Sequence, residues 1–145
     1  MKHRNKGRIL SRQRKGRTAL LKTMLGSLIM RERITTTLAK AKELKNHIDQ
    51  LINHGKVAQA DSARRAAKLR LLRTRLSLEA TKKLSSDFVL RLASRKSGYT
   101  RVVKLDRRKS DGAEMAVIEL VLDAAPEKPK KSKEAKESKT KQTEK

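Results

Sequence analysis

The N-terminal segment of this sequence gathers basic side chains at a density suited to binding anions. Residues 1–17, MKHRNKGRILSRQRKGR, hold eight Lys or Arg and no Asp or Glu. Because like charges repel and only Ile9 and Leu10 could be buried, these residues predict an extended arm without a fixed conformation of its own. Arg can bind phosphate bidentately through its planar guanidinium. The segment therefore predicts a polyanionic partner.

The positive charge extends well beyond this arm. The 145-residue chain has a net charge of +24 and an isoelectric point near 11.1. The arm carries +8, and residues 126–145 carry eight Lys against four Glu, so that +12 remains in the body between them. Self-repulsion of this size opposes folding unless a negatively charged partner offsets it. Phosphate is the favoured partner, and the interaction surface must include the body.

Residues that could perform catalysis or hold a metal are scattered. The chain has no cysteine, which excludes disulfides, thiolate nucleophiles and Cys-based zinc sites. His47 and His54 stand seven apart on a predicted helix, but no further His or Cys completes a ligand shell beside them. The six glycines are isolated, so no Walker loop or dinucleotide fingerprint is present. The sequence therefore predicts no enzyme, metal, cofactor or small-molecule substrate.

The apolar runs are too short for a membrane protein. None approaches the roughly twenty apolar residues of a membrane span, and the N-terminus lacks the apolar core of a signal peptide. The apolar stripes also contain no Trp and are needed for the core, which disfavours binding to an anionic membrane surface. We therefore expect no membrane partner.

Four apolar stripes at helical spacing predict four helices. The first runs from about Thr18 to Met30, and Gly26 within it could allow a close approach by a neighbour. The second is capped by Thr36 or Thr37 and stops at Gly55. Two charge pairs at i,i+4 spacing, Glu43–His47 and Lys45–Asp49, are expected on its exposed side.

The third helix begins at Asp61 and the fourth ends near Ser94. The core face of the third helix is expected to consist of Ala63, Ala66, Ala67, Leu69, Leu72 and Leu76. The core face of the fourth is expected to consist of Ala80, Leu84, Phe88, Val89 and Leu92.

Two later segments change to the pattern of strands. Residues 99–105 and 115–122 are rich in β-branched residues, and Asp111-Gly112 between them is a strong turn signal, so an antiparallel hairpin is expected. Residues 34–37 are a plausible third strand. The fold class is therefore α+β, with about four helices packed on a small, about three-stranded sheet. The boundaries are an extended arm over 1–17, a body over 18–123 and a disordered Lys/Glu-rich tail over 124–145.

The aromatic content limits the kind of nucleic-acid recognition. Phe88 and Tyr99 are the only aromatic residues, so stacking platforms that read single-stranded bases cannot be built. Phe88 is predicted to pack in the core, whereas packing and RNA contact are both open for Tyr99. The histidines are expected to face solvent or RNA. Many guanidinium and ammonium groups instead suit the phosphates and shape of a folded nucleic acid.

Four separated blocks, in order along the chain, carry a family resemblance. They are Met1-Lys2-His3-Arg4, residues 34–43 with Asp49 and Leu51-Ile52, residues 93–101, and residues 111–121. Across about residues 1–122 the chain resembles the bacterial large-subunit ribosomal protein seventeen family. Asn53 and Gly16 depart from its pattern, in which Thr and His are usual.

The resemblance implies a specific setting for the basic surfaces. It implies a structural constituent of the large subunit of the cytoplasmic ribosome, without catalytic activity. The body would bind and stabilise folded 23S rRNA near the peptide exit tunnel, with the arm laid along RNA and with large-subunit ribosomal protein thirty-two among the neighbouring proteins. Charge alone also fits a DNA-compacting or architectural protein, which is the alternative function.

The residues expected to contact rRNA lie in four groups. The arm supplies Lys2, His3, Arg4, Lys6, Arg8, Arg12, Arg14, Lys15 and Arg17. The second helix supplies Lys40 and Lys42, and the third supplies Arg64, Arg65, Lys68, Arg70 and Arg73. The segment around the final hairpin supplies Arg95, Lys96, Tyr99, Arg101 and Lys104.

Overall fold

A computed structural model describes residues 7–122, apart from the side chain of Asp87. Within this range the chain forms four α-helices, a short 3₁₀ helix and three strands. In chain order these are α1 (Arg14–Arg31), β1 (Arg33–Thr37), α2 (Leu38–Ala60), α3 (Ser62–Arg75), α4 (Leu78–Leu84), the 3₁₀ helix (Asp87–Leu92), β2 (Thr100–Lys104) and β3 (Met115–Leu120).

Helix α1 begins at Arg14, four residues before the predicted start at Thr18. Arg and Lys are good helix formers, and their repulsion at the exposed end of a long helix does not prevent the first turn from forming. Thr18 is not the cap: its hydroxyl donates to the carbonyl oxygen of Arg14, 2.9 Å away. The last four residues of the predicted arm therefore lie in the helix. Residues 1–6 and the tail from 124 lie outside the described residues, and the division into arm, body and tail stays a prediction.

Helix α2 continues through Gly55 to Ala60, so the predicted stop at Gly55 was wrong. A Cβ at this position would lie 3.0 Å from the carbonyl oxygen of Leu84 and 3.4 Å from Cγ2 of Val89. Glycine at this position therefore allows the end of α4 to pack directly against the α2 backbone. The residue type serves close packing and does not end the helix.

Helices α2 and α3 form a helical hairpin that turns at Asp61. The Asp61 carboxylate accepts hydrogen bonds from the backbone N–H groups of Ala63 at 2.9 Å and Arg64 at 3.2 Å, which caps α3. Leu72 and Leu76 are buried as predicted. The three alanines predicted in the core, Ala63, Ala66 and Ala67, are exposed. Only one stripe of α3 is covered, and the larger leucines occupy it because they bury more apolar surface than alanine.

The predicted α+β fold, the hairpin and the third strand are confirmed. Within residues 7–122 the strands form one antiparallel sheet in the order β1-β3-β2. Ile34, Ile118 and Val102 lie in register across it and pack on the core under the helices. The predicted fourth helix is divided into α4 and the 3₁₀ helix, and its five core residues, including Phe88, are buried. None of the helices within residues 7–122 combines the length and apolar character needed to cross a membrane.

Candidate nucleic-acid interface

The root of the arm turns against the start of α2. Leu10 and Ser11 adopt left-handed φ angles of 54° and 51°, and the Arg8 N–H donates to Oε1 of Glu43 at 3.4 Å. Glu43 is 93% buried by this contact and by packing, although the sequence predicted it on the exposed side of α2. Its predicted pairing with His47 is present, with Nε2 of His47 3.7 Å from Oε1 of Glu43. The described part of the arm therefore contacts α2 through Arg8 and leads into α1 at Arg14.

The first turn of α1 is positively charged. Arg14 and Lys15 are exposed and Arg17 is half-buried, and the turn contains no acidic residue. The helix macrodipole adds positive potential at this end, where backbone N–H groups lack intrahelical partners. Two independent sources of positive potential therefore coincide at one helix terminus, which favours a bound anion.

Helix α3 carries one of the four groups of sequence-predicted contact residues. Arg65, Arg70 and Arg73 are exposed and Lys68 is half-buried. Arg64 lies on the same helix, with Nε 3.3 Å from a carboxylate oxygen of Asp61. On α2, Lys42 is exposed and Lys40 is half-buried. The predicted basic contact residues thus lie on both helices of the α2–α3 hairpin.

Burial and positive potential lower the pKa of His54. Its imidazole is first of all desolvated, and Lys68 and Arg75 on α3 further disfavour its protonated form. Protonation of His54 is therefore opposed by the same charges that would attract a phosphate.

The outer face of the sheet neutralises part of its positive charge internally. Nη2 of Arg101 lies 2.6 Å from Oε1 of Glu119, and Nε of Arg33 lies 3.8 Å from Oε2 of the same carboxylate. Lys104 on β2 is exposed. The charge of Arg101 is therefore partly neutralised within the protein, and Arg101 is a weaker candidate for phosphate binding than the α3 arginines.

The loop after β2 contains a further internal ion pair. Nε of Arg108 donates to Oδ1 of Asp111 at 2.8 Å, and this bond, with the Ala113 N–H, lowers the pKa of Asp111 to about 2. Asp111 is consequently ionised at neutral pH and offsets the charge of Arg108.

Tyr99 packs in the core. Its side chain has no exposed surface, and its hydroxyl lies 2.5 Å from Oδ1 of Asn53 and 3.0 Å from the carbonyl oxygen of Arg95. Nζ of Lys56 lies 4.6 Å from the ring centroid, within range of a cation–π interaction. Of the two alternatives left by the sequence, the structure shows packing, so the expectation that Tyr99 contacts RNA is corrected.

The loop of residues 93–98, which precedes Tyr99, is exposed throughout and includes Arg95 and Lys96. Three side chains of α2, Asp49, Asn53 and Lys56, bind its backbone. Asp49, predicted to pair with Lys45, accepts hydrogen bonds from the N–H groups of Gly98 and Tyr99. The loop is therefore fixed to the helix beneath it.

The described residues hold no group of three or more His, Cys, Asp or Glu that could bind a metal ion. The clusters that the fold does assemble are basic. Comparison with known proteins assigns the chain to a family. Residues 20–121 match the family model described as ribosomal protein L17. The chain belongs to the ribosomal protein L17 family.

Relatives of similar length support the assignment across most of the chain. The large ribosomal subunit protein bL17 of Anaeromyxobacter sp. (strain K) is 46% identical over 126 residues, which are 87% of this chain and 76% of that protein. The protein of the same name from Trichlorobacter lovleyi is 40% identical over 128 residues, 88% of this chain and 99% of its own length. The resemblance predicted from the sequence is confirmed. This L17 family member is a structural component of the large subunit of the bacterial, cytoplasmic ribosome.

Within this L17 fold, three basic side chains that were not among the predicted rRNA contacts come together. Lys22 from α1, His47 from α2 and Arg75 from α3 line one groove, together with Thr18, Leu21 and Leu25. Arg75 continues the basic run of α3, and Lys22 lies on the polar side of its helix, so each carried a weak signal. Their convergence depends on how three helices pack, which no local pattern contains.

The predicted contact residues thus fall into three sets. Lys2, His3, Arg4 and Lys6 lie outside the described residues. Tyr99 is buried and Arg101 is ion-paired. The others lie at the arm root, at the start of α1, on the α2–α3 hairpin, in the 93–98 loop and on β2.

Proposed function

We propose that this L17 family member stabilises folded 23S rRNA by neutralising phosphates and recognising RNA shape, without reading base sequence. The observation that carries the proposal is that the aromatic side chains are buried whereas many basic side chains are exposed. Both aromatic residues of the chain are buried, with Phe88 7% exposed and Tyr99 fully covered. Arginines on α1 and α3 are exposed. Base stacking therefore has no aromatic side chain available to it, whereas phosphate contact has many cations.

The proposed contact residues are those basic side chains that the fold presents. From the described residues they are Arg8, Arg12, Arg14, Lys15, Arg17, Lys40, Lys42, Arg64, Arg65, Lys68, Arg70, Arg73, Arg95, Lys96 and Lys104, joined by Lys22 and Arg75 of the three-helix groove. Lys2, His3, Arg4 and Lys6 extend the surface along the arm, and Arg101 contributes at its edge.

The finer setting follows from the resemblance. We place the body near the peptide exit tunnel, with ribosomal protein thirty-two among its neighbours and with no catalytic activity. Because most of the arm's charge has no acidic neighbour in sequence, RNA is needed to neutralise it, and the arm is laid along RNA during assembly.

Competition between RNA and DNA tests the proposal. The full chain is incubated with large subunits lacking it and with an excess of duplex DNA, and is then sedimented through a moderate-salt wash. Ribosomal function predicts recovery with the subunits, with protection of specific 23S rRNA positions. Recovery with DNA, or loss of the protein from subunits in the wash, would support the DNA-compacting alternative and overturn the proposal.

A further inference from the structure

The 93–98 loop is held from beneath by one stripe of α2. Asp49, Asn53 and Lys56 stand at i, i+4 and i+7, which places them on one face of the helix. Leu92 before the loop and Tyr99 after it have no exposed surface, whereas residues 93–98 are all exposed. The loop is thus an exposed arch between two buried anchors, and the α2 stripe lies along its inner side.

Asp49 fixes the end of the loop through its carboxylate. Oδ2 accepts a hydrogen bond from the Gly98 N–H at 3.0 Å, and Oδ1 accepts one from the Tyr99 N–H at 3.4 Å. Gly98 adopts φ +69°, a left-handed conformation that glycine reaches without steric cost. An ionised acceptor strengthens such bonds relative to neutral ones. The carboxylate therefore stabilises one particular backbone path into β2.

Asn53 and Lys56 hold the rest of the loop by its carbonyl groups. Nδ2 of Asn53 donates to the Lys96 oxygen at 3.5 Å. Nζ of Lys56 donates to the oxygen of Ala93 at 3.4 Å and also to that of Arg95. The carbonyl groups of residues 93, 95 and 96 are therefore directed to the helix, while Lys96 is exposed to solvent.

We infer that Asp49, Asn53 and Lys56 are positioning residues, which preform the 93–98 loop so that Lys96 and its neighbours meet the rRNA backbone without first having to be ordered. This inference rests on the proposed function and deepens it. It assigns the 93–98 loop to the part of the interface that is formed before RNA binds. A segment that is already in its bound conformation avoids the entropy loss of ordering, so its contacts contribute more fully to affinity.

Replacing Asp49 separates a positioning role from a simple effect of charge, because the two explanations predict opposite changes in the affinity for 23S rRNA. Asp49→Asn removes a negative charge beside the proposed interface, so charge alone predicts tighter binding of 23S rRNA. Positioning predicts weaker binding, by about threefold to tenfold, because the loop is then competent for only part of the time. Asp106→Asn is the control for charge: it removes one exposed carboxylate, after β2, that makes none of these hydrogen bonds to the 93–98 loop.

Two further readouts exclude a merely structural effect. The Gly98 and Tyr99 amides of the free protein should be protected from hydrogen exchange in the wild type and in Asp106→Asn, and should lose protection in Asp49→Asn while the thermal melt stays cooperative. The salt dependence of binding should be unchanged in Asp49→Asn, because no phosphate contact is removed. Lys96→Gln should instead reduce the slope of log K against log salt concentration by about one.

The outcomes distinguish this inference from the proposed function. If the wild-type protein prefers duplex DNA to 23S rRNA, the proposed function fails. If the wild type binds rRNA but Asp49→Asn binds as tightly as Asp106→Asn, or if the Gly98 amide is unprotected in the free wild type, the positioning role is overturned and the proposed function stands.

Discussion

Nζ of Lys83 lies 3.0 Å from Oε1 of Glu32, and this ion pair ties the end of α1 to α4. Glu32 has φ +65°, a left-handed conformation that glycine usually occupies at the end of a helix. Arg91 of the 3₁₀ helix also approaches the carboxylate, at 3.5 Å. The strained backbone at Glu32 is therefore accompanied by contacts that only its side chain can make.

Glu32→Gln should destabilise the fold. The substitution keeps the backbone conformation and removes the charge that Lys83 and Arg91 share, so we expect the free energy of unfolding to fall by about 1 kcal/mol. Urea denaturation at low ionic strength measures the change. Glu32→Gly should be less harmful, because glycine relieves the positive φ. A Gln variant as stable as the wild type would show that the ion pairs contribute nothing.

The same Gly→Ala change should have opposite effects at two glycines. At Gly55 the new methyl group would lie 3.0 Å from the Leu84 carbonyl oxygen, a backbone atom that cannot move easily, so we expect destabilisation by about 1–3 kcal/mol. At Gly16, in the first turn of α1, an added Cβ would have no atom within 4 Å beyond its chain neighbours and the local helix backbone, so alanine should stabilise by up to about 1 kcal/mol. Thermal melts of the two variants compare them directly. Equal shifts would contradict the close packing of α2 against α4.

Charge on α3 should matter more for rRNA binding than the same charge on the tail. Changing Arg65, Arg70 and Arg73 to Gln removes three exposed cations while keeping good helix formers. We expect weaker binding of 23S rRNA and a salt slope reduced by about two to three. The control changes Lys128, Lys130 and Lys131 to Gln and should have a much smaller effect. Equal losses from the two triple variants would mean that net charge, and not the α3 surface, determines affinity.

His54 should make stability sensitive to mild acid. Its pKa in the folded protein is lowered, so folding favours the neutral form. Above the ordinary histidine pKa of about 6.5, His54 is neutral in both states and leaves the free energy of unfolding unchanged. As the pH falls below that value, the unfolded chain binds the proton more readily than the folded protein, so His54 lowers the free energy of unfolding. Urea unfolding at pH 8 and at pH 5.5 should show a larger loss for the wild type than for His54→Gln. Parallel losses would contradict the inferred direction.

The sequence predicted best those elements that have a local period. The fold class was predictable because a helix or strand that is buried on one side has apolar residues at a regular spacing in its sequence. Four helical stripes and the two strands around Asp111-Gly112 show this spacing. In sequence, Gly55 has the pattern of a helix stop, whereas the atoms that require glycine there belong to Leu84 of α4 and Val89 of the 3₁₀ helix. In sequence, the exposed alanines of α3 fit an apolar stripe as well as the buried leucines do. Which part of α3 is covered depends on how α2 packs against it.

The candidate site was predictable in its chemistry and not in its arrangement. The excess of Arg and Lys already indicated a phosphate-rich partner. The groove shared by Lys22, His47 and Arg75 requires three helices to meet. The contacts of Lys56 and Asp49 with the 93–98 loop join residues 39 and 49 positions apart, which no local spacing reveals.

Tethered hydroxyl-radical cleavage tests the central claim most directly, since the chain has no cysteine of its own. Single cysteines at exposed Ala67 on α3 and Ser97 in the loop can carry an iron chelate without removing a proposed contact. In reconstituted large subunits, both Ala67→Cys and Ser97→Cys should cleave the 23S rRNA backbone at defined positions, and the treated wild type should not. Stable incorporation without cleavage from either position would show that these surfaces face away from RNA, and would contradict the account.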